Sequence, residues 1–265
     1  MATFFGEVLS VYSRAVEDEE DDNDEDEDIL KELDENREVL LQWYDSRHLM
    51  PCTNLIIAVG KNAASFVSVY VLSSASWEAV GHASLSNPNP CGPASAEPVC
   101  VFYRNKDTPA VIVCKISGYI EEDQQFQWTE KVFGCVQQDG LRVTVLSDGP
   151  VAEYKNTDFS CSSSSLFLRC LETKSSTIKP PCPLLEQPNI FTGIPAAVLS
   201  HCQVHQIPTV AYQCYSDAIS PDSITMETYK LAFTTVGDIK VCPLPSADTI
   251  HKLVQTNQIQ SNLYI

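Results

Sequence analysis

The chain has 265 residues, 44% of them apolar, enough for one large α/β domain or two small ones. Its formal charge of −18 is concentrated in one place: Glu17 to Asp28 holds eleven acidic side chains interrupted only by Asn23, and removing those eleven leaves −7. Lys and Arg are sparse and scattered, which excludes the clustered basic surface that displaces counterions from phosphates. No stretch approaches the roughly 20 apolar residues of a membrane-spanning helix.

The start Met1-Ala2-Thr3-Phe4-Phe5 lacks a basic opening and a long apolar run, so it does not read as a secretory signal, and Ala2 in place of Gly excludes myristoylation. Residues 1–28 read as a disordered acidic arm, because like charges at this density repel and almost nothing apolar is available for burial. Ile29 to Tyr44, with Leu30, Leu33, Leu40 and Leu41, predicts a short helix. Asn54-Leu55-Ile56-Ile57-Ala58-Val59-Gly60 is a continuous apolar run ended by glycine, the pattern of a buried strand. Ala63, Phe66, Val67, Tyr70 and Val71 then share one helical face.

Further strands are predicted at Pro98–Tyr103, Ala110–Ile116 and Leu141–Leu146, with Asp139-Gly140 and Asp148-Gly149 marking turns around the last of them. Between them, Glu121-Glu122-Asp123 suits the positive end of a helix whose face carries Trp128, Val132 and Cys135. Asn87–Pro98, Ser160–Ser165 and Lys174–Pro183 read as loops inserted in one domain. A helix with Pro195 near its start continues through Ala196, Leu199 and Cys202. A strand over Thr209–Tyr215, a helix over Ile224–Phe233 and a last helix capped by Ser246, with Asp248, Ile250 and Val254, complete the series. This alternation predicts an α/β fold, a three-layer α/β/α sandwich with a largely parallel sheet. The domain is expected over residues 29–256, followed by a flexible C-terminal tail over 257–265.

No local motif nominates catalysis. Gly60-Lys61 lacks the upstream glycine of a phosphate-binding loop, and no nucleophile elbow is present. His201 and His205, four apart on a predicted helix beside Cys202, have zinc-compatible spacing, but no fourth ligand and no general-base Glu accompany them. Two polar-face histidines and a core thiol explain them with fewer assumptions. Glu121, Glu122 and Asp123 are read as a solvated helix start, and Trp128 and Phe133 as core. The eleven cysteines form no CxxC pair, and Cys100, Cys114 and Cys214 lie in apolar runs, so they read as reduced thiols acting as small hydrophobes. No catalytic residue, cofactor or metal site is expected.

The chain ends Leu263-Tyr264-Ile265, three bulky apolar residues at a position where exposed apolar groups suggest docking. Apolar residues at the last and third-last positions suit a PDZ groove entered as an added strand. A hydrophobic residue, then Tyr, then any residue with a free carboxylate also matches the tail motif that inserts between proteasome α-subunits. Other segments decide between these readings. Ala2–Val8, Glu122–Trp128 continued by Glu130–Gly134, Cys182–Ile190, Pro195–Ser200 and Thr256–Tyr264 together closely resemble the proteasome assembly chaperone family. The match spans nearly the whole chain and is looser over Val11–Arg47 and Asn87–Glu97.

The resemblance implies a phosphorylase/hydrolase-like scaffold without a demonstrated active site. It also implies heterodimer formation with proteasome assembly chaperone 2 and binding to proteasome α-subunits. Through these contacts the pair would promote α-ring formation and block off-pathway ring association. Leu263, Tyr264 and Ile265 are the expected docking residues, Ala2 the expected N-acetylated residue, and the cytosol, with some association with the endoplasmic reticulum, the expected location. The rival classes are an α/β hydrolase or phosphorylase-like enzyme and a PDZ-bound adaptor.

Overall fold

The computed structural model describes residues 38–45, 49–85, 98–155, 166–217, 221–236, 239 and 241–243. Its strands are β1 (Val39–Trp43), β2 (Asn54–Val59), β3 (Trp77–Leu85), β4 (Cys100–Asn105), β5 (Val111–Ile116), β6 (Arg142–Pro150), β7 (Leu166–Glu172) and β8 (Thr209–Ser216). Its helices are α1 (Lys61–Phe66), continued by a wider π-type turn over Val67–Val71, then α2 (Glu122–Gly134), α3 (Gly193–Val204) and α4 (Ser223–Thr228), which tightens into a 3-10 segment over Tyr229–Thr234.

One eight-stranded sheet runs in the order β1-β3-β4-β5-β2-β6-β8-β7. The central strands β5, β2, β6 and β8 are mutually parallel. The flanks are antiparallel, β1, β3, β4 and β5 on one side and β7 against β8 on the other. The expected parallel sheet is therefore the centre of a mixed one.

Helices cover both faces, which is why the central strands read as unbroken apolar runs. In β2, Leu55 and Ile57 face the layer made by α2 and α3, where they meet Trp128, Val132, Val198 and Cys202. Ile56 and Ala58 face the opposite layer of α1 and α4, against Phe66, Tyr70, Met226 and Tyr229. The two cores are thus set by the alternation of side chains along each strand. Both layers contain stacked or tilted rings, such as Phe66 with Tyr70 at 5.2 Å and Trp43 with Phe102 at 4.7 Å. α4 is capped by Asp222, whose Oδ1 accepts the Thr225 N–H at 2.8 Å and whose Oδ2 accepts the Thr225 hydroxyl at 2.6 Å.

Several expectations change. The helix expected over Ile29–Tyr44 is, in its described part, strand β1, paired from Val39↔Leu85 to Trp43↔Gly81. Val39, Leu41 and Trp43 are more buried than Leu40 and Gln42, a period of two that the leucine spacing concealed. The turn expected at Asp148-Gly149 lies inside β6, which continues to Pro150 and pairs Asp148 with Cys214 and Gly149 with Tyr215. β3 and β7 were not anticipated. The last helix expected from Ser246 lies outside the described residues.

Candidate functional site

In open α/β sheets, ligands bind beyond the carboxyl ends of the parallel strands. A cleft of about 980 Å³ occupies that position here. Val59 and Gly60 at the end of β2, Ile116 to Gly118 after β5, Ser147 and Asp148 late in β6, and Gln213 in β8 form its floor, and the entries to α1 and α3 form its walls.

The floor is dominated by one carboxylate. Asp148 Oδ1 accepts the Ala63 N–H at 3.3 Å. Burial pushes the Asp148 pKa up, opposed by hydrogen bonds from the backbone of Ala63, Asn62 and Lys61 and from the Asn62 side chain. Gly60 makes this approach possible. It holds φ +93°, and a Cβ there would overlap the Asp148 carboxylate. The first turn of α1 is thus filled by an anion from the chain itself, at the place where a nucleotide-binding α/β protein would seat a phosphate.

The remaining polar groups are either engaged or spread along the walls. The Ser147 hydroxyl donates to the Tyr212 carbonyl at 3.1 Å, and the Tyr229 hydroxyl donates to the Ser147 carbonyl at 2.8 Å. Lys115 lines the cleft with its pKa lowered by burial, and Lys61 stands exposed at the rim. Among the described residues, the titratable side chains that line the cleft are Lys61, Lys115, Tyr119 and Asp148. What the arrangement does chemically is neutralise a helix start with a half-buried carboxylate.

A family model described as Proteasome assembly chaperone 4 matches residues 1–265. The chain belongs to the proteasome assembly chaperone family. A Danio rerio family member named Proteasome assembly chaperone 1 is 48% identical, with 100% of each chain covered. One of the same name from Xenopus tropicalis is 44% identical, also with 100% of each chain covered. The fold is similar to the crystal structure of Pyrococcus furiosus PbaA, described as an archaeal homolog of proteasome-assembly chaperone, at a TM-score of 0.55 and 9% identity over 85% of this chain and 95% of that one.

The segments that carried the resemblance to the proteasome assembly chaperone family fall on defined elements. Glu122–Trp128 and Glu130–Gly134 form α2, with Trp128 fully buried and Phe126 exposed at 58%. Glu121 caps that helix with extended backbone, and Glu122 and Asp123 lie in its first turn, as expected. Pro195–Ser200 lies in α3, and Cys182–Ile190 touches the outer edge of β7 at Pro183–Leu185 before turning to Tyr154 and Lys155 through Glu186 and Asn189. Leu263, Tyr264, Ile265 and Ala2 lie outside the described residues.

The His201, Cys202 and His205 trio separates. Cys202 faces the core, where burial pushes its thiol up to about 12. His201 is buried rather than on a polar face, its ring 4.6 Å from Phe133 and 4.2 Å from the exposed His205, with no partner for Nε2 among the described residues. Burial, followed by the nearby His205, holds its pKa down. Sequence reasoning missed Asp148 as a structural residue, and no local signal marks it, because its partners are 85 residues away in the chain.

Proposed function

We propose that this chain is a non-catalytic assembly chaperone of the proteasome core particle. The reading rests on one observation above others: a family match over residues 1–265, with relatives named Proteasome assembly chaperone 1 aligned from end to end. It acts in the cytosol as a heterodimer with proteasome assembly chaperone 2, binds α-subunits, promotes ring closure and prevents off-pathway ring association. Leu263, Tyr264 and Ile265 enter a crevice between neighbouring α-subunits. Leu263 and the Tyr264 ring bury apolar area there, the Tyr264 hydroxyl finds a polar partner, and the Ile265 carboxylate pairs with a pocket lysine. Ala2 carries an N-acetyl group once Met1 is removed, which the intact mass of the native N-terminal peptide tests.

The anchoring of the last described residues supports this reading. The Cys242 N–H donates to the Tyr70 carbonyl at 2.8 Å, and Lys230 Nζ donates to the Pro243 carbonyl at 3.2 Å. The tail expected over residues 257–265 is nine residues long, which fully extended would reach about 30 Å.

A tail alone binds weakly. Ordering it costs about 1–2 kcal/mol per residue, against a gain of roughly 25 cal/mol per Å² of apolar area buried. A second contact raises avidity by about 10²–10⁴. The helical layer of α2 and α3 supplies candidates for it: Tyr119 and Ile190 in the segments leading into those helices, and Phe126 and Val204 on the helices, are large apolar side chains exposed to solvent.

An enzyme on the same scaffold is the rival reading, and the cleft at the strand ends is the feature that favours it. The seating of Asp148 on the start of α1 weighs against it, because the Ala63 N–H that a bound anion would use there is already taken by that carboxylate. Ring formation tests the proposal. Isolated α-subunits incubated with the heterodimer are expected to give closed rings on native gels faster than without it. An unchanged rate would refute the assembly role.

A further inference from the structure

β7 is an edge strand, and the segment after it folds back along its open side. The Cys170 N–H donates to the Pro183 carbonyl at 3.1 Å, and the Leu185 N–H donates to the Cys170 carbonyl at 2.7 Å, in a single parallel bridge between Cys170 and Leu184. This backbone clamp brings two thiols together. The Cys170 thiol donates to the Cys182 carbonyl at 3.4 Å and lies 3.5 Å from that of Pro183, and the Cys182 side chain packs against the same core cluster that holds Cys170. Cys170 is fully buried, whereas Cys182 is partly exposed.

We propose that Cys170 and Cys182 form a reversible thiol–disulfide site that reacts with a low-molecular-weight disulfide of the glutathione type. The asymmetry of the pair assigns the roles. Cys182 is the thiol that solvent reaches, and its pKa is held below the ordinary thiol value by the neighbouring Cys170 and, to a smaller extent, the Arg169 guanidinium, against burial. Cys170 is fully buried, and the neighbouring Cys182 together with burial pushes its thiol up. Cys182 is therefore the attacking group and Cys170 the resolving one.

In the first step the Cys182 sulfur attacks one sulfur of glutathione disulfide, and the released glutathione takes up the proton that Cys182 lost. In the second step the Cys170 sulfur attacks the Cys182 sulfur of the mixed disulfide. Its proton passes to the second glutathione as that leaves. Two protein thiols are oxidised to one disulfide, and one glutathione disulfide is reduced to two glutathiones. The new bond ties residues 171–181 covalently to the sheet edge.

A second pair of nearby thiols provides an internal control. Cys100 and Cys114 are diagonal neighbours on the paired strands β4 and β5, but both are fully buried among core side chains that include Trp128. They have the proximity and lack the access. The proposal does not depend on the chaperone reading.

The test uses the folded full-length chain in glutathione buffers of increasing oxidised fraction, followed by alkylation under native and then denaturing conditions, proteolysis and mass spectrometry. The expected result is one linked pair of peptides containing Cys170 and Cys182, two hydrogens lighter than the free peptides and separated again by excess reduced glutathione, with Cys100 and Cys114 still thiols. Cys170→Ser is expected to halt at a glutathione adduct on Cys182, and Cys182→Ser to leave Cys170 unmodified. Cys182 remaining a free thiol in the most oxidising buffer, linking to a different cysteine, or taking up no glutathione in Cys170→Ser would each overturn the proposal. The wild-type result stands without either variant.

Discussion

The Asp148 carboxylate accepts the backbone N–H of Ala63 at 3.3 Å, and Gly60 gives it the room to do so. Two halves of the parallel sheet meet in that contact: β6 delivers the acid and β2 delivers the helix start. A half-buried carboxylate without donors is costly, and an unsatisfied helix start is also costly. Here each offsets the other, so the cleft floor is a structural junction before it is anything else.

Gly60→Ala breaks this junction twice, by demanding a positive φ from a residue with a Cβ and by driving that Cβ into the Asp148 carboxylate. The expected loss is about 2–4 kcal/mol in urea unfolding, within the range for strain combined with overpacking. Gly140→Ala is the control: it has a positive φ but open space around the added Cβ, so its loss is expected to be about 1–2 kcal/mol.

Stability around Asp148 depends on pH in a direction set by burial. Its folded pKa lies above the ordinary carboxylate value, so the folded chain holds the proton more tightly than the unfolded chain. This contribution favours folding below the unfolded pKa and is lost as pH rises through the folded one. Asp148→Asn does not titrate. The stability of wild type relative to Asp148→Asn is therefore expected to increase as pH falls from neutral through the carboxylate range, read from paired denaturation curves.

Helix α2 offers a contrast between two aromatic residues. Trp128 is fully buried under the sheet, and Phe126 is largely exposed. Trp128→Ala is expected to cost about 3–5 kcal/mol, whereas Phe126→Ala should stay within about 0.5 kcal/mol. If Phe126 also belongs to the proposed contact layer, Phe126→Ala weakens α-subunit capture at unchanged stability, which a binding curve run beside the melt detects.

At the C-terminus, one residue added after Ile265 would move the carboxylate away from the pocket lysine proposed as its partner. The expected outcome is a drop in α-subunit affinity of about tenfold or more, the scale of one charge-assisted contact. Tyr264→Ala separates the proteasome crevice from a PDZ groove, because it should impair α-subunit binding while a PDZ domain reads the last and third-last side chains. Equilibrium titration of each variant against isolated α-subunits measures both effects.

The elements legible in the sequence were those whose periodicity is local. β2 shows as an unbroken apolar run because both of its faces are covered, and α1, α2 and α3 show as apolar faces at helical spacing. β1 and β3 were not legible for the opposite reason. They lie at or near a sheet edge, and their burial is set by each other and by side chains from α2: the Val39 N–H donates to Gln127 Oε1 at 2.8 Å, and Lys131 Nζ donates to the Val39 carbonyl at 2.8 Å. β7 depends in the same way on β8 and on the returning segment at Leu184.

The cleft was hidden because its key contact joins residues 85 apart, and Asp148-Gly149 has the composition of a turn while occupying a strand. His201 was misplaced because helical spacing puts it beside His205, and only the packing of α3 against Phe133 of α2 shows that it is buried. Family membership was readable from the conjunction of segments now seen on α2, α3 and the edge of β7.

Removal of Leu263 to Ile265, followed by side-by-side capture of α-subunits and of proteasome assembly chaperone 2, tests the central claim most directly. The account predicts that the truncated chain retains its partner chaperone in full and recovers markedly fewer α-subunits. Equal recovery of α-subunits by the truncated and intact chains would contradict it.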